Sequence, residues 1–184
     1  MTESEKMVPL SQAVRMLTTG MEWEAGIFFE AFKILRERLG KDEAKKILGK
    51  VMYNAGYKLG AEARNLVDKS GPKGMAQAWD IIYGAGTKEA EDLDDDNFVI
   101  SHSACAAYFL FKRWGMSADE INFVGEAYCA ADIGHAEGFV PALNFQHSHR
   151  MMRGDSKCRY IFSNKSLKPC AGALDKRAII DDDL

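Results

Sequence analysis

The side chains best suited to chemistry are concentrated between residues 98 and 162. This window holds three of the four cysteines and all four histidines of the chain. A thiol can act as a nucleophile, an imidazole can transfer a proton, and a carboxylate can orient either group. We therefore expect any active site of this protein to lie in this window.

Cys129 and Asp132 are spaced i and i+3 in a segment with a helical pattern, and His135 follows after three more residues. This spacing places Cys129 and Asp132 near one another on a helix surface, whereas His135 lies further around the axis. The two could present a thiol and a carboxylate to one cavity. The alternative is an inert buried thiol beside a carboxylate satisfied by N–H groups. Because the surrounding segment is apolar and burying a carboxylate is costly, a functional role is favoured.

His147 and His149 alternate with apolar residues in a predicted strand, which places both on the same face as Phe145 and Met151. A single such histidine is usually a satisfied core or edge group. Two in succession, on the face expected to meet a helix, are compatible with ligand binding or proton transfer as well as with a structural role. Cys158 lies on the predicted partner strand and could approach the same cavity.

The Cys, His and Asp content includes the ligand types that transition metals prefer. No local pair has the spacing of a zinc finger, so the sequence assigns no metal ligand and no cofactor. The acidic run at residues 94–96 lacks the alternating ligands and the glycine of a calcium loop. We expect the whole acidic segment that contains this run, residues 88–97, to be a solvated loop.

The elements that must position these residues are helices first and strands later, which predicts an α+β fold with a helical N-terminal half and a small antiparallel sheet. Cys105 is expected at the exit of the first strand, and Ser117 and Glu120 form a capping box that starts a long helix. Gly49, Gly56 and Gly60 are expected to permit close approach of another helix. The predicted helices span 11–19, 21–39, 42–69, 75–83, 106–114 and 117–137, and the predicted strands span 98–104, 143–152 and 158–163.

We expect one domain over residues 1–184. It would comprise a mainly helical part at 1–90, a strand–helix–hairpin part at 95–163 that carries the site, and a tail at 164–184.

Composition restricts the function classes. The chain has 184 residues, 47% of them hydrophobic, and a net charge of −3. The absence of a basic stripe argues against nucleic acid as a partner, and no apolar run is long enough to span a membrane. The polar N-terminus is not a signal peptide, so we expect a cytoplasmic protein with free thiols. A small molecule is the expected partner, and a second copy of the chain could pair through the helical half.

Four elements of the window form a recognisable pattern: Cys105 at a strand end, Tyr128-Cys129-Ala130-Ala131-Asp132, Glu137-Gly138-Phe139, and the segment from Met152 to Tyr160. With these elements the window resembles the family of L-2-amino-thiazoline-4-carboxylic acid hydrolases. Two departures from the family pattern are Ala106, where a proline often follows the first cysteine, and Arg159, where an acid often follows the last. The layout also looks, more weakly, like the 4-vinyl reductase domain, a small-molecule-binding module.

The resemblance implies a hydrolase that opens a cyclic amidine-like ring, with water adding at the carbon between nitrogen and sulfur. It implies Cys129 as nucleophile, Asp132 as base or orienting carboxylate, and Cys105 as a second thiol of the pocket. A histidine could activate a thiol or donate the proton. The residues expected to bind substrate are His102, His135, His147, His149 and Cys158. The alternative is a non-catalytic module of the 4-vinyl reductase type that binds a small molecule or a metal.

Overall fold

The computed structural model describes residues 9–83 and 89–180 and shows helices packed on a four-stranded antiparallel sheet. The predicted α+β class is confirmed. The helices are α1 (Leu10–Leu39), α2 (Lys41–Arg64), α3 (Gly71–Tyr83), α4 (Ala106–Arg113), α5 (Ala118–Tyr128), α6 (Ala130–Phe139) and α7 (Lys176–Ile179). The strands are β1 (Glu89–Leu93), β2 (Asn97–His102), β3 (Asn144–His149) and β4 (Cys158–Ser163).

The sheet has the order β1-β2-β4-β3, so β4 is paired on both sides. The register places His102 opposite Cys158, and His147 opposite Tyr160. The predicted loop at residues 88–97 was wrong over 89–93, which form the edge strand β1. Glu91 contributes to holding this edge strand in place, because its carboxylate binds both Lys157 and Arg159, at the start of β4, at 2.6 Å. Residue 88 lies outside the described residues.

Several predicted helix boundaries were also wrong. Helix α2 ends at Arg64 rather than at residue 69, and α3 begins at Gly71 rather than at residue 75.

The predicted break at Gly20 was wrong as well, because α1 runs through this residue. A Cβ at Gly20 would meet nothing within 4 Å, so this glycine adds only its intrinsic cost of about 1 kcal/mol. The predicted helix at 117–137 instead divides at Cys129 into α5 and α6, while the Ser117–Glu120 capping box at its start is confirmed.

Helices α2 and α6 are packed backbone to backbone, as the glycines of α2 predicted. A Cβ on Gly56 or Gly60 would collide with carbonyl oxygens of α6. Gly134 and Gly138 on α6 would collide with α2 in the same way. Gly-x-x-x-Gly spacing on both helices therefore lets the two main chains meet directly, and this contact fixes the position of α6.

The core consists of two apolar clusters. The first is formed mainly by α1, α2, α4 and α5 and includes Cys129. The second lies between α3, α6 and the sheet and includes Cys158. Cys105 packs against both clusters. The three cysteines of the predicted window therefore lie along the seam between the two halves of the core.

The C-terminal segment, residues 164–180, lies against the body of the protein. Ile179, the last residue of α7, is buried against α2. Lys176 binds the Glu137 carboxylate at 2.7 Å, and Tyr53 donates a hydrogen bond to the same carboxylate. The segment predicted as a tail thus forms part of the surface near α6, and residues 181–184 lie outside the described residues.

Among the described residues, no helix has the length and apolar character needed to cross a bilayer.

Candidate functional site

Cys129, Asp132 and His147, here called the Cys–Asp–His cluster, meet at the seam of the core. One ligand-type atom of each lies within 4.8 Å of the other two. His147 Nδ1 is 3.3 Å from Asp132 Oδ2. Cys129 and His147 are buried, whereas the Asp132 side chain is 26% exposed. The Asp132 carboxylate is therefore the most exposed member of the cluster.

Local structure explains how these side chains converge. Cys129 occupies the junction between α5 and α6, and its carbonyl accepts a hydrogen bond from the Asp132 amide at 3.1 Å. Asp132 lies in the first turn of α6, where the helix dipole favours a negative charge. His147 comes from β3, and its ring stacks on Tyr160 of β4 with centroids 4.3 Å apart. Each side chain is thus held by a different contact.

The thiols of this region are protonated at neutral pH. Burial raises the pKa of Cys129 well above its ordinary value, and the negative charge of Asp132 raises it further. Burial also raises the pKa of Cys105, and it raises the pKa of Cys158 to about 12. The Met151 amide donates a hydrogen bond to Cys158 Sγ at 3.4 Å and partly offsets that increase. None of the three is an exposed, preformed thiolate.

Two of the histidines predicted to bind substrate pack against Trp79 of the second core cluster. His102 is on β2, with its ring 5.5 Å from both Trp79 and Tyr160. His135 is buried on α6 near Trp79, and burial lowers its pKa. The structure therefore brings only one of the four histidines, His147, into the Cys–Asp–His cluster.

His149 does not share the face of His147, so that expectation was wrong. The register of β3 shifts between these two residues, which breaks the alternation of the strand. As a result His149 is exposed, and its Nδ1 forms a hydrogen bond with Ser148 Oγ at 3.1 Å.

Arg150 lies next to the cluster but was not predicted from the sequence. It is 2% exposed, and its Nη2 lies 3.7 Å from the Glu126 carboxylate. Its positive charge counteracts the increase in the Cys129 pKa. The sequence feature that could have indicated Arg150 was the presence of a charged residue within a strand predicted to be half-buried.

An open groove of about 660 Å³ runs beside the cluster, between the end of α6, β3 and the C-terminal segment. Its walls include Leu143 and Phe145 on one side and Leu174 and Lys176 on the other. His147 lines the groove, whereas Cys129 and Asp132 do not. His147 therefore connects the groove to the buried cluster.

The donor set of the cluster is one sulfur, one carboxylate oxygen and one imidazole nitrogen, all of which are ligand types for zinc-like ions. The same atoms could instead act as nucleophile, base and orienting group. Geometry permits both uses.

Residues 20–162 match the family model described as L-2-amino-thiazoline-4-carboxylic acid hydrolase. The chain belongs to this family. In this member of the thiazoline-carboxylate hydrolase family, the matched region begins within α1 and ends within β4. It therefore covers the helical half as well as the cysteine motifs. A search among curated proteins gives no significant match.

Proposed function

We propose that this member of the family hydrolyses a small cyclic amidine of the 2-amino-thiazoline type and that the Cys–Asp–His cluster is its active site. The supporting observation is that three reactive side chains from the α5–α6 junction, α6 and β3 come within 4.8 Å. All three lie inside the region matched to the family.

In the proposed reaction the oxygen of water bonds to the ring carbon between nitrogen and sulfur, and the carbon–sulfur bond breaks. One proton of water reaches the departing sulfur, and the carbon retains the oxygen as a urea carbonyl after the second proton passes to nitrogen. The step needs a nucleophile, a proton acceptor and a group that stabilises the developing charge. No oxidation or reduction takes place.

Asp132 suits a cyclic amidine because a protonated amidine carries a positive charge. The partly exposed carboxylate can pair with that charge, and ion-paired hydrogen bonds of this kind are the stronger ones. His147, held beside Asp132, is placed to exchange a proton with the reacting centre. The neighbouring groove of about 660 Å³, which His147 lines on the side of the cluster, has room for a small ring compound.

Cys129 has two uses in this scheme. Its sulfur can attack the ring carbon if its proton passes to a base during the attack, because burial keeps the resting thiol protonated. Alternatively, it holds another group in place while water attacks directly. Both routes depend on Cys129, Asp132 and His147.

Turnover of 2-amino-thiazoline-4-carboxylate, together with unsubstituted cyclic amidines and lactams, tests this proposal. Ring opening would be followed by chromatography of the product. We expect turnover of the thiazoline by the wild-type protein and its loss in Cys129→Ala, with Asp119→Asn, an exposed position on α5, as the matched control. Wild-type turnover in both Cys129→Ala and Asp132→Ala would contradict the site. If the wild-type protein bound the thiazoline stoichiometrically without turning it over, the result would instead support a non-catalytic binding module.

A further inference from the structure

We propose that Cys129, Asp132 and His147 bind one divalent transition-metal ion of the zinc type and that water on this ion is the hydrolytic nucleophile. The metal site is argued from geometry alone, whereas its use in catalysis rests on the proposed function. Three protein ligands with one open position are the arrangement of catalytic zinc sites.

The spacing of the donor atoms fits one ion. Zinc binds nitrogen and carboxylate oxygen at roughly 2.0–2.2 Å, so two such ligands in a tetrahedron lie about 3.3 Å apart. His147 Nδ1 and Asp132 Oδ2 are 3.3 Å apart. A zinc–sulfur bond of about 2.3 Å requires the sulfur to lie roughly 3.5 Å from the other two donors. The thiol is already within 4.8 Å of them, so a small side-chain adjustment completes the set.

His147 supplies a second, independent observation. Its ring is 1% exposed, and among the described residues neither ring nitrogen has a hydrogen-bond partner. Buried polar groups in folded proteins nearly always have such a partner. A metal ion between His147 and Asp132 would satisfy the nitrogen that faces the carboxylate.

The two neighbouring thiols are not needed as ligands. Cys158 Sγ already accepts a hydrogen bond from the Met151 amide. Cys105 caps the start of α4, near the amides of Ala107 and Tyr108. The site therefore retains an open coordination position, and the partly exposed side of Asp132 gives water and substrate access to it.

Charge also balances at this site. A divalent ion with one thiolate and one carboxylate is neutral overall, which avoids the cost of burying an uncompensated charge. The backbone of α6 and the ring of His147 are fixed beforehand, because α6 is packed on α2 through glycines and His147 is stacked on Tyr160. Sites held in this way bind metal without large rearrangement.

An ion held by Cys129, Asp132 and His147 would supply an activated water. The oxygen of that water would bond to the ring carbon as the carbon–sulfur bond breaks, with the electron pair of that bond and one proton of the water going to sulfur. The second proton would pass to the ring nitrogen and leave a urea carbonyl, with no change of oxidation state.

The test uses the full chain, stripped with a chelator and titrated with Zn²⁺ or Co²⁺. We expect about one bound metal ion per chain, measured by elemental mass spectrometry of the protein. With Co²⁺ we expect the intense absorption of a tetrahedral site and a sulfur-to-cobalt charge-transfer band. Cys129→Ser should remove that band and weaken Zn²⁺ binding on the order of 100-fold or more, and His147→Gln should weaken binding similarly. Cys170→Ser, which changes a half-buried thiol outside the cluster, should leave both readouts unchanged.

The outcomes separate this inference from the proposed reaction. Failure of the wild-type protein to bind either ion, or binding retained in both Cys129→Ser and His147→Gln, overturns the metal site. Full ring opening by the metal-free protein supports the proposed function and overturns the role of the metal. Binding of one metal ion per chain without ring opening of the thiazoline supports the metal site and overturns the proposed reaction. Far-UV circular dichroism of each variant establishes that it is folded.

Discussion

His147 on β3 and Asp132 on α6 face one another with Nδ1 and Oδ2 3.3 Å apart. This contact joins the hairpin to the helix at the point where the two core clusters meet. It also places a proton-transfer group and a carboxylate beside the Cys129 thiol.

Asp132→Asn should reduce kcat/KM for thiazoline ring opening by on the order of 10²- to 10⁴-fold, the usual contribution of a positioned acid–base group. The amide keeps the shape of the side chain but loses its charge. Steady-state kinetics would measure the effect, with Asp119→Asn on the exposed side of α5 as the control. Equal losses in both variants would show that the effect is not specific to the cluster.

Replacing Gly134 with alanine should destabilise the protein by about 1–3 kcal/mol, the usual cost of overpacking. The added Cβ would collide with the Tyr53 carbonyl, which cannot move without shifting α2. Gly20→Ala is the matched control, since a Cβ there meets nothing and should stabilise α1 by up to about 1 kcal/mol. Urea unfolding of the two variants should therefore give changes of opposite sign, and a stable Gly134→Ala protein would contradict the close contact.

The protein should lose stability at alkaline pH. The folded-state pKa of Cys158 is raised to about 12, so above its ordinary pKa near 9 the unfolded chain ionises while the folded chain does not. The unfolded state then binds fewer protons, and stability falls as pH rises from about 9 towards 12, by at most about 1.4 kcal/mol per pH unit for this thiol.

Urea unfolding between pH 7 and 10.5 would measure this decline, and Cys158→Ala should make it shallower. Cys170→Ala is the control, because that thiol is only half-buried and outside the core clusters. The same decline in wild-type protein and in Cys158→Ala would contradict the raised thiol pKa.

Glu91→Gln should destabilise the protein at neutral pH by about 1 kcal/mol, a value limited by the hydration of its ion pairs. Lys157 and Arg159 lower the pKa of Glu91 to about 2. The stabilisation is therefore present above the ordinary carboxyl pKa near 4.5 and is lost as pH falls towards 2. Wild-type and variant stabilities should converge in acid, while Asp92→Asn, on the same exposed strand, should show no such convergence.

Local spacing was enough to predict that Cys129 and Asp132 are neighbours. Residues three apart lie close together on a helical turn, and this holds whether one helix continues through Cys129 or a new helix begins at it. The strand Cys158–Ser163 was also predicted with its observed bounds. Local residue patterns defined these features without knowledge of the rest of the fold.

The choice between His147 and His149 could not be made in this way. It depends on a register shift against β4, which the order of residues in β3 does not encode. The burial of Arg150 and the position of the C-terminal segment depend on contacts distant in sequence, such as that between Arg150 Nη2 and the Gly172 carbonyl. Long-range pairing therefore decided which of the candidate side chains reached the cluster.

The glycine contacts between α2 and α6 have a further consequence for motion. Because main-chain atoms meet directly at Gly56 and Gly134, no side-chain rotation can loosen the interface, and the two helices move as one rigid unit. The backbone of Asp132 is therefore a stationary element beside the groove. Any closure around a ligand must come from the hairpin that carries His147 or from the C-terminal segment on the far side of the groove.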